Sequence, residues 1–185
     1  MIQSKLPNVG TTIFSVMSKM AVEQNALNLS QGFPDFPVAE ELISLIAEAM
    51  KSGNNQYAPM PGLPLLREQI AEKILKTGGR IVDPDTEITI TAGATEALFA
   101  TIISIIKTEE EVIVLEPTYD SYIPAIQLAG GIPVPIPLNQ PDFSINWEAI
   151  EQKITNKTRL LLIKSPHNPS GSIISKRDIE QLIKL

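Results

Sequence analysis

From residue 87 onward the chain alternates between two hydrophobic periods, and this alternation restricts the fold more than any other feature. Runs at 87–91, 112–116, 132–136 and 159–164 are rich in Ile, Val, Leu and Thr and read as strands. The segments 95–106, 121–129, 146–153 and 175 onward carry helical spacing. Strand, helix, strand, helix with short connections predicts parallel strands joined by crossovers, an α/β sheet covered on both faces. The run "RLLLIK" (159–164) reads as a fully buried strand of such a sheet. The helix at 95–106 is apolar nearly all round, which predicts burial. Ser175 followed by Asp178 fits a capped helix start.

The N-terminal part is organised differently. The first 37 residues combine a polar arm, a helix over Ile13 to Gln24 and the stretch "LSQGFPDFP", too rich in Gly and Pro for a regular element. From Ala39, the residues Leu42, Leu45, Ile46, Ala49 and Met50 mark an amphipathic helix. "SGNNQYAPMPG" reads as an exposed loop, and Leu66, Ile70 and Ile74 as a second helical stripe with Pro64 in its first turn. The last residues, "DIEQLIKL", stop inside a helical stripe (Ile179, Leu182, Ile183) without a Gly or Pro stop signal. The sequence therefore reads as the first part of something longer, with a frayed natural helix end as the alternative.

Composition narrows the function classes. Of 185 residues, 43% are hydrophobic and 19% charged, as in an ordinary globular protein. A net charge of -6 without a basic cluster argues against a nucleic-acid partner. With no cysteine there is no disulfide, thiolate metal site or Cys nucleophile. A single histidine, His167, excludes a His-rich metal site. No signal-peptide core and no apolar run near the roughly 18 residues of a membrane span are visible, so the default expectation is a cytoplasmic protein without a membrane partner.

Three strand-to-helix turns carry groups that could do chemistry. In "ITITAGATEALF", Gly93, Ala94 and Thr95 stand where a strand hands over to a helix. Small side chains there let an anion approach the N–H groups and partial positive charge of a helix N-terminus, and Thr95 adds a hydroxyl. A merely tight turn would look the same. In "EPTYDSY", Tyr119 follows a strand at its C-terminal tip, where ligands of open α/β sheets sit; it could stack on a planar group or simply pack its own loop. In "SPHNPSG", two prolines and a glycine hold Asn168, a side-chain amide with donors and an acceptor, or an ordinary Asn-Pro turn former. His167, with no carboxylate partner in local sequence, reads as a solvated turn residue. All three turns are expected at one edge of one sheet. Together they offer an anion hole, a ring and an amide, a set suited to a flat phosphorylated cofactor.

The chain resembles the N-terminal part of the class I/II aminotransferases, the fold-type I pyridoxal-phosphate enzymes, and within them the methionine and kynurenine aminotransferase branch. The resemblance rests on "SKLPNVGTTIF", "NLSQGFPDFP", "NQYAPMPGLPLLREQIA", "ITITAGATEALF", "EPTYDSYIPAI" and "SPHNPSG", in the family's order. It implies a three-layer α/β sandwich with a mostly parallel sheet. Residues 1–40 would be an N-terminal arm and small-domain segment, and 41–185 the N-terminal part of the large domain. It implies pyridoxal 5'-phosphate (PLP) as cofactor, amino acid and 2-oxo acid substrates, and a homodimer. By the same resemblance Gly93, Ala94 and Thr95 bind the cofactor phosphate, and Tyr119 stacks on its ring. Asn168 bonds the ring's 3-oxygen and helps hold the substrate carboxylate. Gly32 lines the substrate pocket, and Tyr57 reaches the phosphate of the neighbouring subunit. The family's Schiff-base lysine matches no residue before 185: Lys164 and Lys176 lie outside its motif, so no catalytic residue is assigned. A PLP-dependent C–S lyase and a non-catalytic truncated product stand as alternatives.

Overall fold

The structure, a computed structural model, describes residues 3–32 and 34–185; Phe33 of "SQGFPDF" and the first two residues of the arm lie outside the described residues. The chain divides into two compact units. One comprises Gly93–Leu185 with the described residues up to Thr12, the other Ile13–Ala92.

The first unit is built on a parallel sheet in the order β2-β1-β3, with β1 at Glu111–Glu116, β2 at Ile132–Pro137 and β3 at Thr158–Leu162. Successive residues of a strand face opposite sides. Val112 and Val114 of β1 therefore join Ile102, Ile106, Ala125 and Ile126 in one core. Ile113 and Leu115 join Ile136, Leu138 and Ile150 in the other. On the first face Ile102 and Ile106 lie in and just after α4 (Ala94–Ile105), and Ala125 and Ile126 in α5 (Tyr122–Leu128); on the other, Ile150 comes from α6 (Trp147–Lys153), while Ile136 and Leu138 lie in and just after β2. This is the three-layer α/β arrangement that the alternating periods predict.

Strand β2, "IPVPIP", carries proline at every second position. Ile132 N–H donates to Glu110 O (2.8 Å) and Leu138 N–H to Glu116 O (2.8 Å), so the even-numbered residues bond toward β1. Pro133, Pro135 and Pro137 alternate with them and turn their donorless nitrogens to the outer edge.

Three expectations need correction. Residues 87–91 are not a strand of this sheet; Ile90 N–H instead donates to Pro61 O at 2.9 Å. β-propensity describes side-chain packing, whereas a strand exists only through a ladder neighbour. The helix at 95–106 is not buried all round: α4 turns Ile102 to the sheet, while Phe99 and Ile103 are 42% and 43% exposed on other sides. "RLLLIK" is not fully buried either. β3 is an edge strand in which Leu160, Leu161 and Leu162 are half-buried and Arg159 is exposed.

The second unit holds α1 (Ile13–Glu23), α2 (Glu40–Lys51) and α3 (Pro64–Gly78), close to the expected bounds. Pro64 occupies the first turn of α3, and Gly79 at φ 66° closes its end in the left-handed region that favours glycine. The apolar stripe of α2 is exposed. Arg67 is the buried charge of this unit. Its guanidinium donates to the carbonyls of Gly62 and Pro84 and pairs with Asp85 at 3.0 Å, which joins the 59–62 turn to the 83–87 turn.

Helix α7 (Lys176–Leu182) begins with the predicted cap: Asp178 N–H donates to Ser175 Oγ, and Ser175 N–H to Asp178 Oδ2 at 2.8 Å. The other oxygen of Asp178 accepts from Trp147 Nε1 at 2.8 Å, which ties α7 to α6. Burial pushes the Asp178 carboxyl up, but the bonds from Ser175 and Trp147 outweigh it and hold the group below the usual carboxylate range. A carboxyl depressed on folding contributes stability above its unfolded value, about pH 3.9, and loses it as pH falls through the folded value. Trp147 is the chain's one tryptophan. Its emission should therefore change as pH falls below about 3.9, and Asp178→Asn should flatten that transition. The same acid transition in the variant would refute the Trp147–Asp178 link.

Candidate functional site

Gly93 is the N-cap of α4, with Ala94 and Thr95 as its first two helical residues. Gly93 sits at φ 96°, ψ 167°, a region essentially restricted to glycine. A Cβ there would meet no atom within 4 Å. Glycine is thus required by backbone conformation and not by crowding, and the space beside it is open. At this end Ala97 N–H donates to Gly93 O at 3.3 Å. The amides of Ala94 and Thr95 precede it, at exposed residues that carry small side chains. The small residues of "AGAT" therefore leave an accessible helix N-terminus, the electrostatic setting for an anion.

Tyr119 follows β1 by three residues and Asn168 follows β3 by six. Since β1 and β3 are adjacent and parallel, both residues emerge at the same edge of the sheet. Tyr119 and Asn168 are half-buried. The Tyr119 ring meets Tyr122 edge-on, with centroids 5.7 Å apart, and the Lys164 ammonium lies 5.9 Å from its centroid. The loops after β1 and β3 therefore touch. Tyr57 and Gly32 belong to the other unit: Tyr57 is fully exposed on the 52–62 loop, and Gly32 is exposed.

His167 corrects the sequence reading. It is 9% exposed, not a solvated turn residue. Its Nδ1 lies 2.8 Å from Ser170 Oγ, which is 3.0 Å from Ser172 Oγ. The absence of a carboxylate partner had argued for solvent, but two hydroxyls in the same turn supply the polar contact. Pro166 and Pro169 follow cis peptide bonds. A cavity of about 670 Å³ lies against this histidine, Leu115, Leu138, Trp147 and Asp178. None of Gly93, Thr95, Tyr119 or Asn168 lines it, so it is separate from the turn cluster.

Burial pushes the His167 ring down from the ordinary imidazole value, a bond to the Leu115 carbonyl pushes it up, and the Lys164 charge lowers it further; the net direction is down. The folded state thus favours the neutral ring. Its contribution to stability is complete above about pH 6.5 and is lost as pH falls through the lowered folded value. As the one histidine, it should titrate in NMR with a single midpoint below about 6.5. A midpoint at or above that value would contradict the buried, neutral ring.

Residues 24–185 match the family Aminotransferase class I and II. Methionine aminotransferase of Escherichia coli (strain K12) is 46% identical over 180 residues, which cover 97% of this chain and 47% of that protein. The probable N-succinyldiaminopimelate aminotransferase DapC of Mycobacterium tuberculosis is 38% identical over 185 residues, covering 98% and 46%. The crystal structure of YbdL from Escherichia coli, for which a methionine aminotransferase function was identified, superposes with a TM-score of 0.95 at 45% identity, covering 100% of this chain and 48% of that one. The chain spans about half the length of the curated relatives it matches. On sequence and on fold, this chain belongs to the class I and II aminotransferases, a family of PLP-dependent enzymes.

Proposed function

We propose that this chain supplies the phosphate- and ring-binding part of an aminotransferase that moves an amino group from an amino acid to a 2-oxo acid. The observation that carries the reading is the exposed N-terminus of α4 at Gly93–Thr95, in the same unit as the touching loops that hold Tyr119 and Asn168. The residues fit PLP. The open glycine, the first-turn amides and the Thr95 hydroxyl suit a phosphate dianion. The Tyr119 ring suits a face of the pyridine. The Asn168 amide can donate to the ring's 3-oxygen and hold it as an anion.

When bound, PLP supplies an electron sink for the negative charge that develops at the amino acid's α-carbon. The residues of this chain anchor and orient. Thr95 and the α4 amides hold the phosphate end, Tyr119 keeps water from one ring face, and Asn168 fixes the opposite end. None of these moves a proton at the α-carbon. His167 is held by Ser170 and buried, and Lys164 and Lys176 stand outside the family's lysine motif. Methionine, an aromatic amino acid or kynurenine is the proposed donor, supported by the similarity to the Escherichia coli methionine enzyme. The enzyme is proposed to be a cytoplasmic homodimer. There Tyr57, on its exposed loop, would serve the phosphate of the neighbouring subunit, and Gly32 would line the substrate pocket. Residues 1–40 would be an N-terminal arm and small-domain segment, and 41–185 the N-terminal part of the large domain. No helix among the described residues is long and apolar enough to cross a membrane.

The test is PLP binding to the 185-residue chain, followed by absorbance. Reversible binding should compete with inorganic phosphate and weaken about fivefold in Thr95→Val, the size of one lost hydrogen bond. Tyr119→Leu should weaken it without changing phosphate competition. Borohydride should leave no stoichiometric pyridoxyl-lysine. Unaltered affinity in both variants would sink the reading. A pyridoxyl group at one stoichiometric lysine, with measurable amino transfer, would overturn the exclusion of Lys164 and Lys176. Release of ammonia and a 2-oxo acid in place of amino transfer would point to the lyase.

A further inference from the structure

We infer that Arg67 is a positioning residue for Tyr57: its buried guanidinium pins the base of the 52–62 loop and so sets where that loop holds the Tyr57 ring. The inference deepens the proposed function, since it rests on Tyr57 as a contact to the cofactor phosphate of the neighbouring subunit.

Nothing holds the Tyr57 side chain directly. It is fully exposed, and among the described residues it has no hydrogen bond and no ring contact. Its place therefore depends on the two ends of its loop. The first end hangs on α2, where Asn55 Nδ2 donates to Met50 O at 2.8 Å. That bond is exposed, and α2 has no buried residue to anchor it. The second end is different. Gly62, five residues after Tyr57, is buried. Gly62 N–H donates to Pro59 O at 2.8 Å, and Ile90 N–H to Pro61 O at 2.9 Å. Gly62 has φ 100°, and a Cβ there would lie 2.6 Å from Ile90 Cβ. The turn is thus pressed against Ile90 with no room for a side chain.

Arg67 locks this turn from the buried side. Its Nε donates to Gly62 O at 3.3 Å, and a terminal nitrogen of the same fork donates to Pro84 O. A guanidinium carries only donors and stays charged, so both bond directions are fixed. Its planar fork also fixes the spacing of the two carbonyls. Both anchors are stiff. Arg67 belongs to the 15-residue α3, and its own N–H donates to Leu63 O at 3.1 Å. The 83–87 turn is closed by the Asp83 carboxylate, which accepts from Asp85 N–H at 2.9 Å and Thr86 Oγ1 at 2.8 Å. The ion pair to Asp85 adds little, because that carboxylate is 78% exposed. The two carbonyl bonds are the pin.

The experiment uses the full 185-residue chain, first in ¹⁵N relaxation and hydrogen exchange without cofactor, then in PLP titrations. Arg67→Met keeps a long stem and removes the donors. It should lower the Tyr57 backbone order parameter below about 0.6 and speed exchange at the Ile90 amide, while the Ile150 amide of the other unit keeps its protection. Asp85→Asn leaves both carbonyl bonds and should change neither readout. Arg67→Lys, a point donor that cannot span both carbonyls, should fall between Arg67→Met and wild type; it carries the comparison if Arg67→Met fails to fold. In PLP affinity, Tyr57→Phe and Arg67→Met should each cost about fivefold, and the double variant no more than either. An unchanged Tyr57 order parameter, equal damage by Asp85→Asn and Arg67→Met, or additive losses with Tyr57→Phe would each overturn the inference. Loosening as expected, with PLP affinity indifferent to Tyr57→Phe, would uphold the positioning and reject Tyr57 as a cofactor contact.

Discussion

Burial of β1 on both faces is the constraint on which the Gly93–Leu185 unit depends. Val112, Val114 and their neighbours exclude water on one side, and Ile113 and Leu115 do so on the other. A strand with no solvent face must satisfy its polar backbone through neighbours on each side, here β2 and β3. Parallel pairing then sends every strand's following loop to the same edge. The shared position of Tyr119 and Asn168 is thus a by-product of how the apolar run Val112–Leu115 is buried, not a separate invention of the site.

That edge is where apolar packing gives way to polar organisation. Just beyond Leu115 the burial of β1 falls off, and the next contacts are hydroxyls, an imidazole, an ammonium over a ring and a helix end. The core supplies the stiffness, and the polar groups need only small local adjustments to hold their orientation. The buried imidazole keeps the Ser170 hydroxyl on its Nδ1, which offsets part of the cost of its desolvation.

Much of this was legible in the sequence, for identifiable reasons. Hydrophobic period located α1 through α7 and all three strands of the sheet, because burial on one or both faces leaves a direct imprint on residue choice. The pairing of Ser175 with Asp178 was legible because a cap is a local event. The 87–91 segment was misread because strand status depends on a neighbour that residue type does not name. Phe99 and Ile103 were misread because an apolar side chain records a preference for burial, not the side of α4 that meets the sheet. His167 was misread for a third reason. Its polar contact is the Ser170 hydroxyl of its own turn, and its burial depends on how that turn folds, which residue type does not name. Arg67 was illegible for a related reason: two of its three partners are backbone carbonyls, which have no letter in the sequence.

The alternating prolines of β2 give the sheet a direction. A strand edge ordinarily offers a comb of donors and acceptors to any passing chain. On the outer side of β2 every donor position is a proline nitrogen, so an incoming strand finds acceptors only. β3 carries no such block. Any extension of this sheet, whether productive or by self-association, is therefore routed to the β3 side. In effect the prolines work as a one-way valve on strand addition, and they do so on the edge farthest from the loop that holds His167 and Asn168.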